Sequence, residues 1–160
     1  MAFADYTTPD EVRSLLGANP KELTDAIITT NTYLTTLLGK LDDLDPALVS
    51  AFMAAKDAEA PTAAQARFVL LVQTYCTYVV AIALVPSLPN LLAKRITDGK
   101  AETERHNPYA SLLPDLTVSL NWVRAKVQTA LGAVTGTAPA TRAWRTMVAN
   151  VPLGTDPITG

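Results

Sequence analysis

Cys76 and His106 are the single cysteine and the single histidine of this 160-residue chain. They are the obvious candidates for a metal ligand, a nucleophile or a general base. A zinc centre takes four ligands, usually Cys and His, so this pair does not complete one. Cys76 falls in the middle of an apolar helical segment and is expected to pack as a small hydrophobe. His106 stands between Arg105 and Asn107-Pro108, where a surface or helix-cap role is expected. No glycine-framed serine accompanies it, as a Ser-His-Asp hydrolase would need. No phosphate-binding glycine loop or dinucleotide fingerprint occurs. Asp42, Asp43 and Asp45 cluster like part of a calcium loop, but the glycine and the terminal glutamate of an EF-hand are missing. A solvated turn with a helix cap is expected there instead. Glu102 and Glu104 alternate with Lys100 and Arg105 and read as a charge-balanced strand face. The chain is therefore expected to have no catalytic residue, no metal site and no cofactor.

The residue types that remain are those of adhesion. Arg142, Trp144, Arg145, Met147 and Val148 sit together near the C-terminal end, and no acidic residue occurs between Ala133 and Val151. Trp and Arg are enriched where binding energy concentrates. A second group, Lys94, Arg95, Asp98, Gly99 and Lys100, surrounds a favoured hairpin turn. Its acids, with Glu102 and Glu104, cancel most of its field. Formal net charge is -2, so no global basic footprint for nucleic acid exists; non-specific contact with passing DNA is the most this group offers.

The elements that must position these groups are helical. Thr8-Pro9-Asp10-Glu11 carries a capping residue, a proline at the first helical position and a glutamate able to reach back to the cap amide. Val12, Leu15 and Leu16 form the short apolar face that follows, and Gly17 ends it. A second helix is predicted from Pro20 or Thr24 to Leu38. It has Leu23, Ile27, Leu34 and Leu38 on one stripe, threonines opposite, and Gly39 as its C-cap. Asp45 and Pro46 open a third, Ala47 to about Ala58, burying Leu48, Val49, Phe52 and Met53.

Pro61-Thr62 opens the fourth and central helix. Phe68 to Val85 is 18 residues without a charge, about 27 Å of helix at 1.5 Å per residue. That approaches the roughly 30 Å of a bilayer core, so a membrane segment at 68–85 is the alternative reading. Gln73, Thr74 and Thr77 on one face, Pro86 and Pro89 directly after, and no strong basic flank before it favour a core helix. Such a helix, apolar on most sides, suits the middle of a bundle or a surface shared with a neighbouring subunit. Asp98-Gly99 predicts a small β-hairpin across 96–103, marginal in water without support. The last long helix runs to about Leu131. It starts between Asn107 and Pro114, carries Leu113, Leu116, Leu120, Val123, Val127 and Leu131 on its buried stripe, and ends at Gly132.

Together these give an all-α bundle of four to five helices over 1–132, with an extended arm over 133–160. Ordering such an arm costs about 1–2 kcal/mol per residue, more than its few apolar residues offset alone. It is read as ordering on a partner, the alternative being a tail folded back on its own bundle. Met1 to Asp5 lacks a basic region followed by an apolar run, so no signal peptide is expected. The lone cysteine excludes an intrachain disulfide and fits a reducing compartment.

The order of elements resembles one family. The capped opening helix, Tyr6-Thr7-Thr8-Pro9-Asp10-Glu11-Val12-Arg13-Ser14-Leu15-Leu16-Gly17, is similar to the start of head–tail connector proteins of tailed bacteriophages, also called adaptor or head-completion proteins. Lys94 to Arg105 is similar to the hairpin or loop between their last two main helices. The long apolar helix before it and the amphipathic one after it also match, so the likeness covers roughly residues 5 to 132. It implies a non-catalytic virion protein at the neck, assembled in the host cytoplasm. It further implies a homo-oligomeric ring, typically dodecameric, below the portal protein ring. Such a ring continues the DNA channel and offers a platform to the next neck or tail protein, with no membrane involved. It also implies, by position, that Arg142 to Val148 is the segment that docks on the portal.

Overall fold

The computed structural model describes residues 2–88 and 112–136. Within them lie six α-helices and no strand. They are α1 (Pro9–Leu16), α2 (Asp25–Ile28), α3 (Asn31–Leu44), α4 (Leu48–Lys56), α5 (Ala63–Leu84) and α6 (Leu112–Thr135), with single 3-10 turns at Phe3–Asp5 and Val85–Ser87. The described residues are mostly helical, as expected, but with six helices rather than four to five. The hairpin expected at 96–103 lies outside the described residues, as do His106 and the segment from 137 onward.

α1 forms as its residues dictate. The Thr8 side chain accepts from the Glu11 amide at 3.4 Å, and the Glu11 carboxylate accepts from the Thr8 amide at 3.1 Å. Pro9 occupies the first turn, and Gly17 closes the helix at φ 63°, a left-handed geometry that favours glycine. The same reciprocal cap recurs at Thr62 and Gln65, which start α5.

The single helix predicted from Pro20 or Thr24 to Leu38 is two helices. Thr29 and Thr30 turn their hydroxyls onto the preceding turn: Thr29 donates to the Asp25 carbonyl at 2.8 Å, and Thr30 to the Ile27 carbonyl at 2.8 Å. Threonine competes in this way with the backbone ladder, and here the pair forms the joint between α2 and α3. The break resets the phase of the apolar stripe. Leu23, Ile28, Leu37 and Leu41 are buried, whereas Ile27, Leu34 and Leu38 are only half-buried. Gly39 is no cap: α3 runs through it to Leu44. Asp45, extended before Pro46, ends α3, as the residue before proline is driven out of the helical region. The Asp45 carboxylate then accepts from the Ala47 amide at 2.8 Å. α6 likewise continues past Gly132 to Thr135, and its terminal glycine is Gly136 at φ 70°.

α5 is the hub. It packs on α1, α3, α4 and most extensively on α6. Phe68, Val72, Tyr75, Cys76, Val79, Val80, Ala81 and Leu84 are buried along it. Removing apolar area from water is worth roughly 25 cal/mol per Å², and this one helix carries the largest share of the core. Tyr6 and Phe52, both fully buried, stack with ring centroids 5.5 Å apart beside it. The helix is long and apolar enough to cross a membrane, but over half of its most apolar stretch is covered by the chain's own helices.

Candidate functional site

Among the described residues, the groups with reactive chemistry are withdrawn. Cys76 is buried and free of disulfide, and burial pushes its thiol well above the ordinary range, so the nucleophilic thiolate is disfavoured. Burial likewise raises the Tyr75 and Tyr6 phenols. Among the described residues no three His, Cys, Asp or Glu side chains converge on a point that could hold a metal. Asp42, Asp43 and Asp45 do not form one; Asp43 instead pairs with Lys40 at 3.3 Å.

The polar groups of the N-terminal region pair with one another and hold its elements together. Arg13 is buried and clamps α1 to α2. Its guanidinium donates to Asp10 and Asp25 at 2.6 Å each and to the Leu23 carbonyl at 3.0 Å. Its Nε has no hydrogen-bond partner. Both carboxylates, Asp10 first, hold the guanidinium's pKa above its ordinary value. Lys56, at the end of α4, donates to Asp5 at 2.7 Å, and that hydrogen bond is the leading cause that lowers the Asp5 carboxyl. Thr77, expected on a polar stripe of α5 that a neighbouring subunit could share, is buried instead against Thr7 at 2.8 Å. Thr77 also reaches the Gln73 carbonyl at 3.0 Å and Thr7 the Glu11 carboxylate at 3.4 Å, so either hydroxyl can supply the proton between them. Sequence spacing carried no sign of this contact, whose partners lie 70 residues apart.

Among the described residues, the outward side of α6 is the face that keeps large apolar side chains one turn apart in water. Its inner side is buried through Leu116, Val123, Val127 and Leu131. Opposite them, Trp122 is 62% exposed and Val118 is 71% exposed. At 100° per residue these two and Ala125 lie within about 60° of one another, facing away from the core. Lys126 places its ammonium 5.6 Å from the Trp122 ring centre, a cation–π contact that holds the lysine at one edge of this stripe. Asp115 is exposed at the same edge, one side of the helix toward its start. Leu113, expected on the buried stripe, is exposed as well, and Leu70 stands out from the first half of α5. A lone exposed apolar residue is ordinary. A tryptophan and a valine one turn apart on the outside of a helix already buried on its inside form a contiguous apolar surface.

Sequence reading overlooked this surface. The signal was present, since Val118 and Trp122 sit off the inner stripe at a spacing of four. The residues that were singled out for adhesion, Arg142, Trp144, Arg145, Met147 and Val148, lie outside the described residues. So do Lys94, Arg95, Asp98, Gly99 and Lys100, where a hairpin was expected. No family model, no curated protein and no solved structure matches this chain.

Proposed function

We propose that this protein is a structural component that works by adhesion, and that its setting is the neck of a tailed-phage virion. In this reading it is a head–tail connector whose copies form a ring below the portal and continue the DNA channel. The observation that carries the adhesive part is the two-sided apolar character of α6, with Trp122 and Val118 facing out. The order of elements quoted above supports the connector part. A neighbouring copy or the portal covers the α6 stripe, and the segment Arg142 to Val148 contributes the portal anchor. Lys94, Arg95 and Lys100 face the channel or the next subunit, where their contact with DNA is non-specific. The next neck or tail protein binds the opposite rim.

Co-sedimentation of the full chain with portal particles tests the proposal. The chain is expected to pellet with portal, and Trp144→Ala is expected to weaken that binding by about 2 kcal/mol or more. A chain that stays in the supernatant with intact portal rings sinks the connector reading. A second reading, a membrane-associated protein using 68–85, has in its favour the length and apolar character of Ala63–Ser87. It requires partition into vesicles, and a chain that stays in solution beside them excludes it.

A further inference from the structure

We infer that two copies of this chain pair antiparallel through the outward side of α6, Val118 of each packing on Trp122 of the other and Asp115 of each meeting Lys126 of the other. This inference stands apart from the connector reading and rests on register and charge.

An antiparallel pair of identical helices related by a two-fold axis matches residue i with residue j when i and j are equidistant from that axis. Val118 and Trp122 are centred on Leu120. Asp115 and Lys126 are centred between Leu120 and Asn121. The two centres differ by half a residue, ~0.8 Å along the helix. One axis therefore serves both pairs. The sidedness also fits. Such an axis brings each edge of the stripe against the same edge of the partner, and Asp115 and Lys126 lie on the same edge, about 20° apart around the helix. Each forms no ion pair with any described residue of its own chain. Ala125, close to the midline of the stripe, adds no bulk there.

The pairing makes two opposite-charge contacts flanking two aromatic–aliphatic contacts. Any other register of the same helices loses one set or the other. A head-to-tail arrangement through this stripe does not bring Asp115 and Lys126 together at both ends. A two-fold pair closes on itself, so on the connector reading it is the form of the free protein, and ring assembly has to open it.

Charge reversal on the full-length chain tests the pairing, with the monomer–dimer equilibrium read by sedimentation velocity over a concentration series. Asp115→Lys places two lysines together at each contact, and Lys126→Asp places two carboxylates together. Each alone is expected to weaken the dimer roughly tenfold at low salt. The double variant Asp115→Lys with Lys126→Asp recreates both pairs with their signs exchanged and is expected to restore the dimer. An equimolar mixture of the two single variants is expected to restore it as a heterodimer. Within one chain the two residues lie about 16 Å apart, beyond the roughly 10 Å screening length at 0.1 M salt, so recovery reports contact between chains. Trp122→Ala is expected to weaken the dimer about thirtyfold or more. Circular dichroism checks that each variant stays helical. A chain that is monomeric at every concentration overturns the inference. So does a double variant no better than its parents, or a larger closed assembly indifferent to both reversals.

Discussion

The N-terminal region, from Phe3 to Lys56, and the helix α6 solve the same problem in opposite ways. In the first, the helices have 4 to 14 residues. Isolated helices so short are marginal in water. They are held by groups that find partners within the region or on α5: Thr8 with Glu11, Arg13 with Asp10 and Asp25, Lys56 with Asp5, Thr7 with Thr77. Every ion pair between described residues lies there. α6, with 24 residues, forms no ion pair with the other described helices. It is held by burial of one face on α5 and α4, and it leaves Trp122 and Val118 on the other. The N-terminal region directs most of its polar groups to partners inside the chain, Arg13 Nε excepted, whereas α6 keeps apolar surface in water.

Substitutions sharpen that contrast. Phe52→Ala should have the largest effect, destabilising the fold by about 3–5 kcal/mol, because it empties a fully buried site and removes the stack on Tyr6. The midpoint of chemical denaturation measures it. Next is Thr77→Val, which takes a hydrogen-bond partner from the buried Thr7 hydroxyl and should cost about 1–2 kcal/mol. Replacing both threonines by valine should recover most of the loss; a double variant as unstable as the single one would show that the contact is not a private pair. Gly39→Ala should act in the other direction. Gly39 lies inside α3 without positive φ and has open space where a Cβ would point, so alanine should stabilise by about 0.5–1 kcal/mol.

Smaller still is the pH effect of Asp5. Its carboxyl is held below its ordinary value, first by the Lys56 hydrogen bond. A depressed carboxyl contributes stability that is fully present above the ordinary carboxylate range. That contribution is lost as pH falls through the lowered, folded-state value. Asp5→Asn should therefore lower stability slightly at neutral pH and flatten part of the acid limb, so that variant and parent converge at low pH. Added salt should shrink the difference. At the bottom of the scale stands Trp122→Ala in dilute protein, where stability should change by less than about 0.5 kcal/mol because the ring already faces water. A loss comparable to that of Phe52→Ala would break the contrast and make α6 part of the closed core.

What could be read in the sequence follows from the range of the interaction. Thr8-Pro9-Asp10-Glu11 and Gly17 specify α1 because a cap is made by residues three apart. The uncharged run 68–85 marks the hub because burial on most sides leaves no room for charge. Leu48, Phe52, Leu116, Val123, Val127 and Leu131 were legible from periodicity alone. The α2–α3 joint was not, because threonines at 29 and 30 fit a helix face as well as they fit a break. Gly39 and Gly132 read as stops but lie inside helices, where burial of Leu37, Leu41 and Leu131 outweighs a local preference of about 1 kcal/mol. Arg13 and Thr77 were illegible because their partners are distant in the chain. Trp122 was missed for a different reason: a search for the buried stripe of α6 passes over the residues on its far side.

On the proposal above, the outward face of α6 becomes covered when the protein works. Fluorescence of Trp122 reads this directly in the full chain carrying Trp144→Phe, which leaves Trp122 as the sole tryptophan. Emission of a water-exposed indole, readily quenched by acrylamide, is expected in dilute protein. A blue shift and protection from quenching are expected when the protein is concentrated. Emission that stays red and fully quenchable at every concentration would contradict coverage of this face.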